Sequence, residues 1–153
     1  MSLQKDIHQL RNFRNEHQKA IINMIFTHNW LAEKIKIFLD KEDITPQQFN
    51  ILRILRGAAP SPLSTLQIRE RMLDKMSDTS RIVDRLVAKE LVKKTSCKSD
   101  KRLVDVVITD KGKKLLEKLD ALSDEMDGII NNLTETEAKT LNKLLDKARG
   151  SSN

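Results

Sequence analysis

Apolar residues recur at helical spacing along most of this chain and switch to strand-like alternation in one place. In the first forty positions Ile7, Leu10, Phe13, Ile21, Ile22, Ile25, Phe26, Trp30, Leu31, Ile35, Phe38 and Leu39 line up without a glycine or proline among them. That pattern predicts one or two long amphipathic helices. Thr45-Pro46-Gln47-Gln48 then combines an N-cap, a proline at the first helical position and a capping-box glutamine, ahead of Phe49, Ile51, Leu52, Ile54 and Leu55. A helix is expected there, ending near Gly57, with Pro60 and Pro62 making the following segment a loop. Ser64 and Gln67 repeat the capping-box spacing and open a short helix with Leu66, Ile68 and Met72. After a break over 74–76, Ser77 is the expected cap of a helix running to about Glu90, with Ile82, Val83, Leu86 and Val87 along one side. The opposite side centres on Arg81 and Ala88, with Ser77, Asp84 and Arg85 beside them.

The alternation comes next. A cationic turn, Lys98-Ser99-Asp100-Lys101-Arg102, leads into Val104, Val106, Val107 and Ile108, so residues 91–96 and 103–108 read as two strands of a hairpin. From Lys111 a long helix is expected through Leu115, Leu116, Leu119, Leu122, Met126, Ile129, Ile130 and Leu133. Thr134 with Glu137 caps a last helix that carries Leu141, Leu144 and Leu145. The fold class is therefore mainly α with a small β-hairpin, an α+β chain whose middle has the order of a winged helix-turn-helix. Its expected divisions are an N-terminal helix over 1–40, the winged region over 45–112, C-terminal helices over 113–149 and a tail over 150–153.

That order has a physical use. A helix fits the major groove of DNA, where its N-terminal residues reach base edges and its free backbone N–H groups favour phosphate. Arg81 and Arg85 supply fork-shaped donors suited to guanine or phosphate, and Ser77, Thr79 and Ser80 are short enough to let the helix approach. The hairpin tip would lay Lys98, Lys101 and Arg102 on the backbone or in the minor groove, with Asp100 stabilising the turn. Charge distribution agrees. The chain carries net +6, and residues 64–118 alone hold 15 basic side chains against 9 acidic ones, whereas residues 119–153 hold 4 against 7. A basic middle with an acidic tail points to a polyanion-binding face.

The stretches "TSRIVDRLVAKELVKK" and "SDKRLVDVVITDKGKKLL" resemble the recognition helix and wing of the MarR (multiple antibiotic resistance regulator) family of bacterial transcription factors. Asp100, Arg102, Val106, Ile108, Thr109 and Gly112 match the wing pattern in register, and the likeness is strong over about residues 45–118. The resemblance implies a homodimer with intertwined terminal helices, two winged domains reading a pseudo-palindromic operator, and often release by a small-molecule or oxidant signal. It implies DNA contacts from Arg81, Arg85 and Arg102, with Asp100 as the partner of Arg102. Two positions depart from the pattern. Lys89-Glu90-Leu91 stands where Lys-Gly-Leu is usual, so the turn into the wing forms without glycine's freedom at positive φ, and Lys94 stands where arginine is common.

Other chemistry is thin. The chain has 153 residues, enough for one domain that buries about two-thirds of its unfolded surface. A single cysteine, Cys97, rules out an intrachain disulfide and suits a reducing compartment. It falls at the hairpin, beside Lys94, Lys98 and Lys101, and reads as an incidental thiol rather than a redox sensor. No secretion signal is read at the start and no apolar run approaches the roughly 18 residues of a membrane span, so a cytoplasmic location is expected. His8, His17 and His28 lack ligand spacing, so no metal is expected, and no cofactor. Phe26, Trp30 and Phe38 are candidates for lining a ligand cavity between the dimer helices and the winged domain, with core and dimer-interface packing as the simpler reading. The four isolated glycines make no phosphate-cradling loop, and neither a nucleophile elbow nor a paired-carboxylate frame is present, which leaves no expected catalytic residue. The alternative to a DNA-binding regulator is a winged-helix interaction module without specific DNA reading, which the basic hairpin argues against.

Overall fold

The computed structural model describes residues 2–96, 99–100 and 104–150. Eight α-helices and three strands are present among the described residues: α1 (Leu3–Asp6), α2 (Glu16–Asp40), α3 (Pro46–Ala58), β1 (Leu63–Ser64), α4 (Thr65–Arg71), α5 (Thr79–Ala88), β2 (Val92–Ser96), β3 (Val104–Ile108), α6 (Asp110–Asp120), α7 (Ser123–Asp127) and α8 (Glu135–Ala148), with a 3-10 turn over Gly128–Ile130. The helix-turn-helix is α4 and α5; the wing is β2 and β3.

Capping explains where most helices begin. Thr45, Ser64 and Thr134 each form a complete capping box, with Gln48, Gln67 and Glu137 respectively, as their spacing predicts. In the last box the Thr134 backbone N–H, then its hydroxyl, hold the Glu137 carboxyl below its ordinary pKa. At the start of α5 the expected cap is displaced by one residue. Asp78, not Ser77, accepts the Arg81 backbone N–H at 3.3 Å. Ser77 is instead buried, its hydroxyl 3.5 Å from that of Thr79, which is buried too. Asp is at least as good a cap as Ser and sits one position nearer the helix, so the carboxylate takes the role.

One expected helix starts late and another is cut short. The N-terminal apolar pattern gives a single turn at α1 and then an irregular stretch before α2, because Asn15 caps at Glu16 by accepting the Gln18 N–H at 2.8 Å. Leu10 within that stretch is fully exposed. The long helix expected from Lys111 ends at Asp120, and the chain turns so that Leu122 and Met126 pack against the core.

The core lies in the winged region. Ile51, Leu52 and Leu55 of α3, Ile68 of α4, Val83 and Leu86 of α5, Val106 of β3 and Leu116 of α6 are buried together with Leu39 at the end of α2. The sheet is antiparallel in the order β1-β3-β2, with Val92 opposite Ile108 and Ser96 opposite Val104 across the wing. The two-residue β1 pairs Leu63 with Val106 and Ser64 with Asp105, which fastens the start of α4 to the wing. In contrast α8 has no buried residue, and Ile21, Ile25, Leu141 and Leu144 are all exposed.

The junction of α5 with the wing is a Schellman turn. Leu91 N–H donates to Leu86 O at 3.0 Å and Glu90 N–H to Val87 O at 2.9 Å, and Glu90 takes φ 62°. Here the missing glycine has a structural consequence: a glutamate occupies the left-handed position, which costs about 1 kcal/mol relative to glycine. Its ion pair with Lys111 spans 3.8 Å between exposed groups and offsets little of that. Glu90→Gly is therefore expected to raise stability by up to about 1 kcal/mol, read as a higher denaturant midpoint at unchanged slope.

Candidate nucleic-acid interface

Helix α5 turns Ile82, Val83 and Leu86 into the core and leaves Ser80, Arg81, Asp84, Arg85 and Ala88 exposed. This is the face that the helical spacing predicts, except for its N-terminal members. Ser77 and Thr79 are 8% and 4% exposed, so they form the floor beneath the helix start and offer little surface to a ligand. Ser80 remains outward.

The acidic neighbours of the two arginines are otherwise engaged. Asp78 caps the helix, and Asp84 accepts from Lys94 Nζ at 2.7 Å, which ties β2 of the wing to α5. Among the described residues neither Arg81 nor Arg85 has an ion-pair partner. Lys94, the position where arginine is common, thus fixes the wing to the helix and occupies the one carboxylate on the outward face. That role was not visible in the sequence, because strand and helix are brought together only by the fold. Arg69, Arg71, Lys75 and Lys93 add exposed positive charge on α4, the turn after it and β2.

Lys98, Lys101 and Arg102, the cations expected at the wing tip, and Cys97 lie outside the described residues. Asp100 is half-buried. The base of the wing is described in full and is tightly bonded. Thr109 N–H donates to Leu91 O at 3.1 Å, the Thr109 hydroxyl donates to Glu90 O at 2.7 Å and accepts the Gly112 N–H at 3.1 Å, and Lys111 Nζ donates to Lys89 O at 3.0 Å. These bonds lock the end of α5 to the start of α6, so the hairpin leaves the body of the protein in a fixed direction. At the other side of α5's end, Lys89 Nζ bonds Asp43 O and, at 3.3 Å, Gln48 Oε1.

The structure does not bring Phe26, Trp30 and Phe38 together. Phe38 belongs to the core, while Phe26 and Trp30, about one-third exposed, line a 770 Å³ cavity beside α1 with Lys19 and Asn23. A different cavity, of 630 Å³, lies between α2 and the winged region and is lined by His28, Leu31, Ile35, Asn50, Met72 and Leu73 among others. Phe26 and Phe38 are twelve positions apart on one helix, and the winged region lines that helix from His28 onward. Among the described residues no cluster of His, Cys, Asp or Glu could hold a metal ion, and no helix is long and apolar enough to cross a membrane.

Comparison with known proteins bears on this geometry. The MarR family model matches residues 44–104, the segment from the start of α3 to the start of β3. The HTH-type transcriptional regulator MhqR of Bacillus subtilis is 30% identical over 132 residues, covering 84% of this chain and 88% of that protein. The HTH-type transcriptional repressor MdtR of the same organism is 34% identical over 74 residues, 48% of this chain and 46% of that one. Among solved structures, a mutant MarR from E. coli complexed with operator DNA has a TM-score of 0.73 at 25% identity, covering 97% of this chain and 99% of that chain. Similarity that runs the length of both chains, on a winged helix-turn-helix with its basic face uncovered, establishes that this protein belongs to the MarR family and is a DNA-binding transcriptional regulator.

Proposed function

We propose that this regulator acts as a homodimeric repressor that binds a pseudo-palindromic operator through Ser80, Arg81 and Arg85 in the major groove. Lys98, Lys101 and Arg102 of the wing hold the flanking backbone. The observation that carries the reading is the pair of exposed arginines on α5, whose neighbouring carboxylates are committed to a helix cap and to Lys94. An arginine pair held clear of anionic partners on a groove-sized helix is suited to phosphate and guanine. The repressor sense is supported by the name of the relative MdtR.

A dimer is supported by the apolar surface left over. Ile21, Ile25, Leu141 and Leu144 are 40–59% exposed on the helices that flank the winged region, and α8 buries nothing of its own. Helices of this kind are stable when a second copy covers their apolar faces. A two-fold pair of winged domains then meets half-sites about one helical turn apart. Light scattering at micromolar concentration is expected to give twice the 17.6 kDa chain mass; a monomer would remove the basis for a palindromic site. The 630 Å³ cavity between α2 and the winged region is the place where a small apolar effector could bind and change the angle between the two.

The experiment is selection of bound sequences from a pool of random duplexes. Enrichment of a pseudo-palindrome is the expected result. Recovery of no common sequence would overturn the reading and favour a winged module that binds protein.

A further inference from the structure

The α4 side of the helix-turn-helix carries two large apolar side chains that the DNA reading above does not use. Leu66, on the first turn of α4, is 63% exposed, and Met76, in the turn before α5, is 90% exposed. They line one 470 Å³ groove with Arg69, Asp78 and Ser80, at the N-terminal end of α5 and continuous with the face that bears Arg81. The turn that presents Met76 is held in place: Asp74 accepts the Met76 N–H at 2.9 Å through its carboxylate and the Ser77 N–H at 3.3 Å through its carbonyl.

The groove's chemistry narrows what it takes. Asp78 lines the groove and repels phosphate, so the sugar–phosphate strand belongs beside Arg69, the one basic side chain in its lining. An apolar pair, Leu66 and Met76, flanks the entry of the recognition helix. In the major groove the apolar feature of a base pair is the C5-methyl of thymine, and apolar side chains discriminate it. Methionine's flexible thioether adapts to such a target without demanding a fixed rotamer.

We propose that Leu66 and Met76 form a thymine-methyl-reading patch, a specificity element separate from Arg81 and Arg85. The proposal rests on the DNA-binding reading and adds a base preference to it: each half-site contains a thymine whose methyl group seats against Met76 and Leu66. Two large apolar side chains are then exposed in the free protein because their cover is the operator.

The test replaces each thymine of the selected operator, one at a time, by deoxyuridine, which removes only the methyl group. Binding is measured for the wild type, Met76→Ala and Leu66→Ala. At one thymine per half-site the wild type is expected to lose about fourfold in affinity, the effect of exposing one methyl group. Met76→Ala is expected to bind the two forms of that site equally, and Leu66→Ala to show a reduced difference. Equal affinity of the wild type for every deoxyuridine operator, or a loss that Met76→Ala shares in full, would overturn the patch and leave the arginine reading intact. Failure of the wild type to select any operator would overturn both.

Discussion

Alanine in place of Arg81 is expected to weaken operator binding by about 1–3 kcal/mol, from fivefold to over a hundredfold, and to relax the preference at one base pair. Availability sets this effect. Arg81 stands on the exposed side of α5, and the carboxylates three positions either side of it along the chain are committed: Asp78 to the helix start and Asp84 to Lys94 at 2.7 Å. A guanidinium without a competing anion retains its capacity for a bidentate contact. Arg81→Lys separates two versions of that contact, since lysine keeps the charge and loses the fork. If Arg81 reads guanine, the lysine variant binds better than the alanine variant but shares its relaxed preference. If Arg81 meets only phosphate, the lysine variant keeps both affinity and preference. Titrations by fluorescence anisotropy against the selected operator and its single-base variants measure both quantities, and an unchanged affinity for Arg81→Ala would refute the docking.

Gly112→Ala is expected to destabilise the protein by about 2–3 kcal/mol. Helix propensity alone predicts the opposite, because alanine is favoured over glycine inside a helix by about 1 kcal/mol and Gly112 lies in α6. Space decides. A Cβ at this position would lie 2.4 Å from the carbonyl oxygen of Leu91 and 2.7 Å from Cγ1 of Ile108. The Leu91 oxygen is backbone and already accepts from Thr109 N–H, so it has no rotamer through which to retreat. Relief requires moving the first turn of α6 away from the α5–β2 junction, at the cost of the bonds from Thr109 and Lys111, and overpacking of this kind outweighs the propensity gain. Urea unfolding gives the result directly; an unchanged or raised midpoint would show that α6 shifts freely at the wing base.

Much of this architecture is legible in the sequence because it is written in local chemistry. Thr45 with Gln48, Ser64 with Gln67 and Thr134 with Glu137 each start a helix where their spacing says one begins, since a capping box is satisfied within four residues of chain. The hairpin is legible from its valines, and the strained turn before it from the glutamate that stands in glycine's usual place. What sequence does not reveal depends on long-range packing. Ser77 and Asp78 are adjacent candidate caps, and only burial of Ser77 with Thr79 settles which one points at the helix. The two-residue β1 has no periodicity of its own and exists because β3 lies beside it. Helical spacing runs unbroken past Asp120, yet the chain bends there to bring Leu122 and Met126 onto the core. For the interface, the arginines were visible as types at helical spacing, whereas the Lys94–Asp84 tie that leaves them unpaired was not. The aromatic trio divides in the same way: Phe38 packs in the core, whereas Phe26 and Trp30 line the cavity beside α1.

The proposal requires that the uncovered basic face read sequence and not merely attract polyanions. Its most direct measurement is the ratio of affinities for the selected operator and for a scrambled duplex of equal length, taken at two salt concentrations. Sequence reading predicts a ratio of about a thousand or more at physiological salt, with both affinities falling as salt rises. A ratio near one, with binding lost at physiological salt, would contradict it.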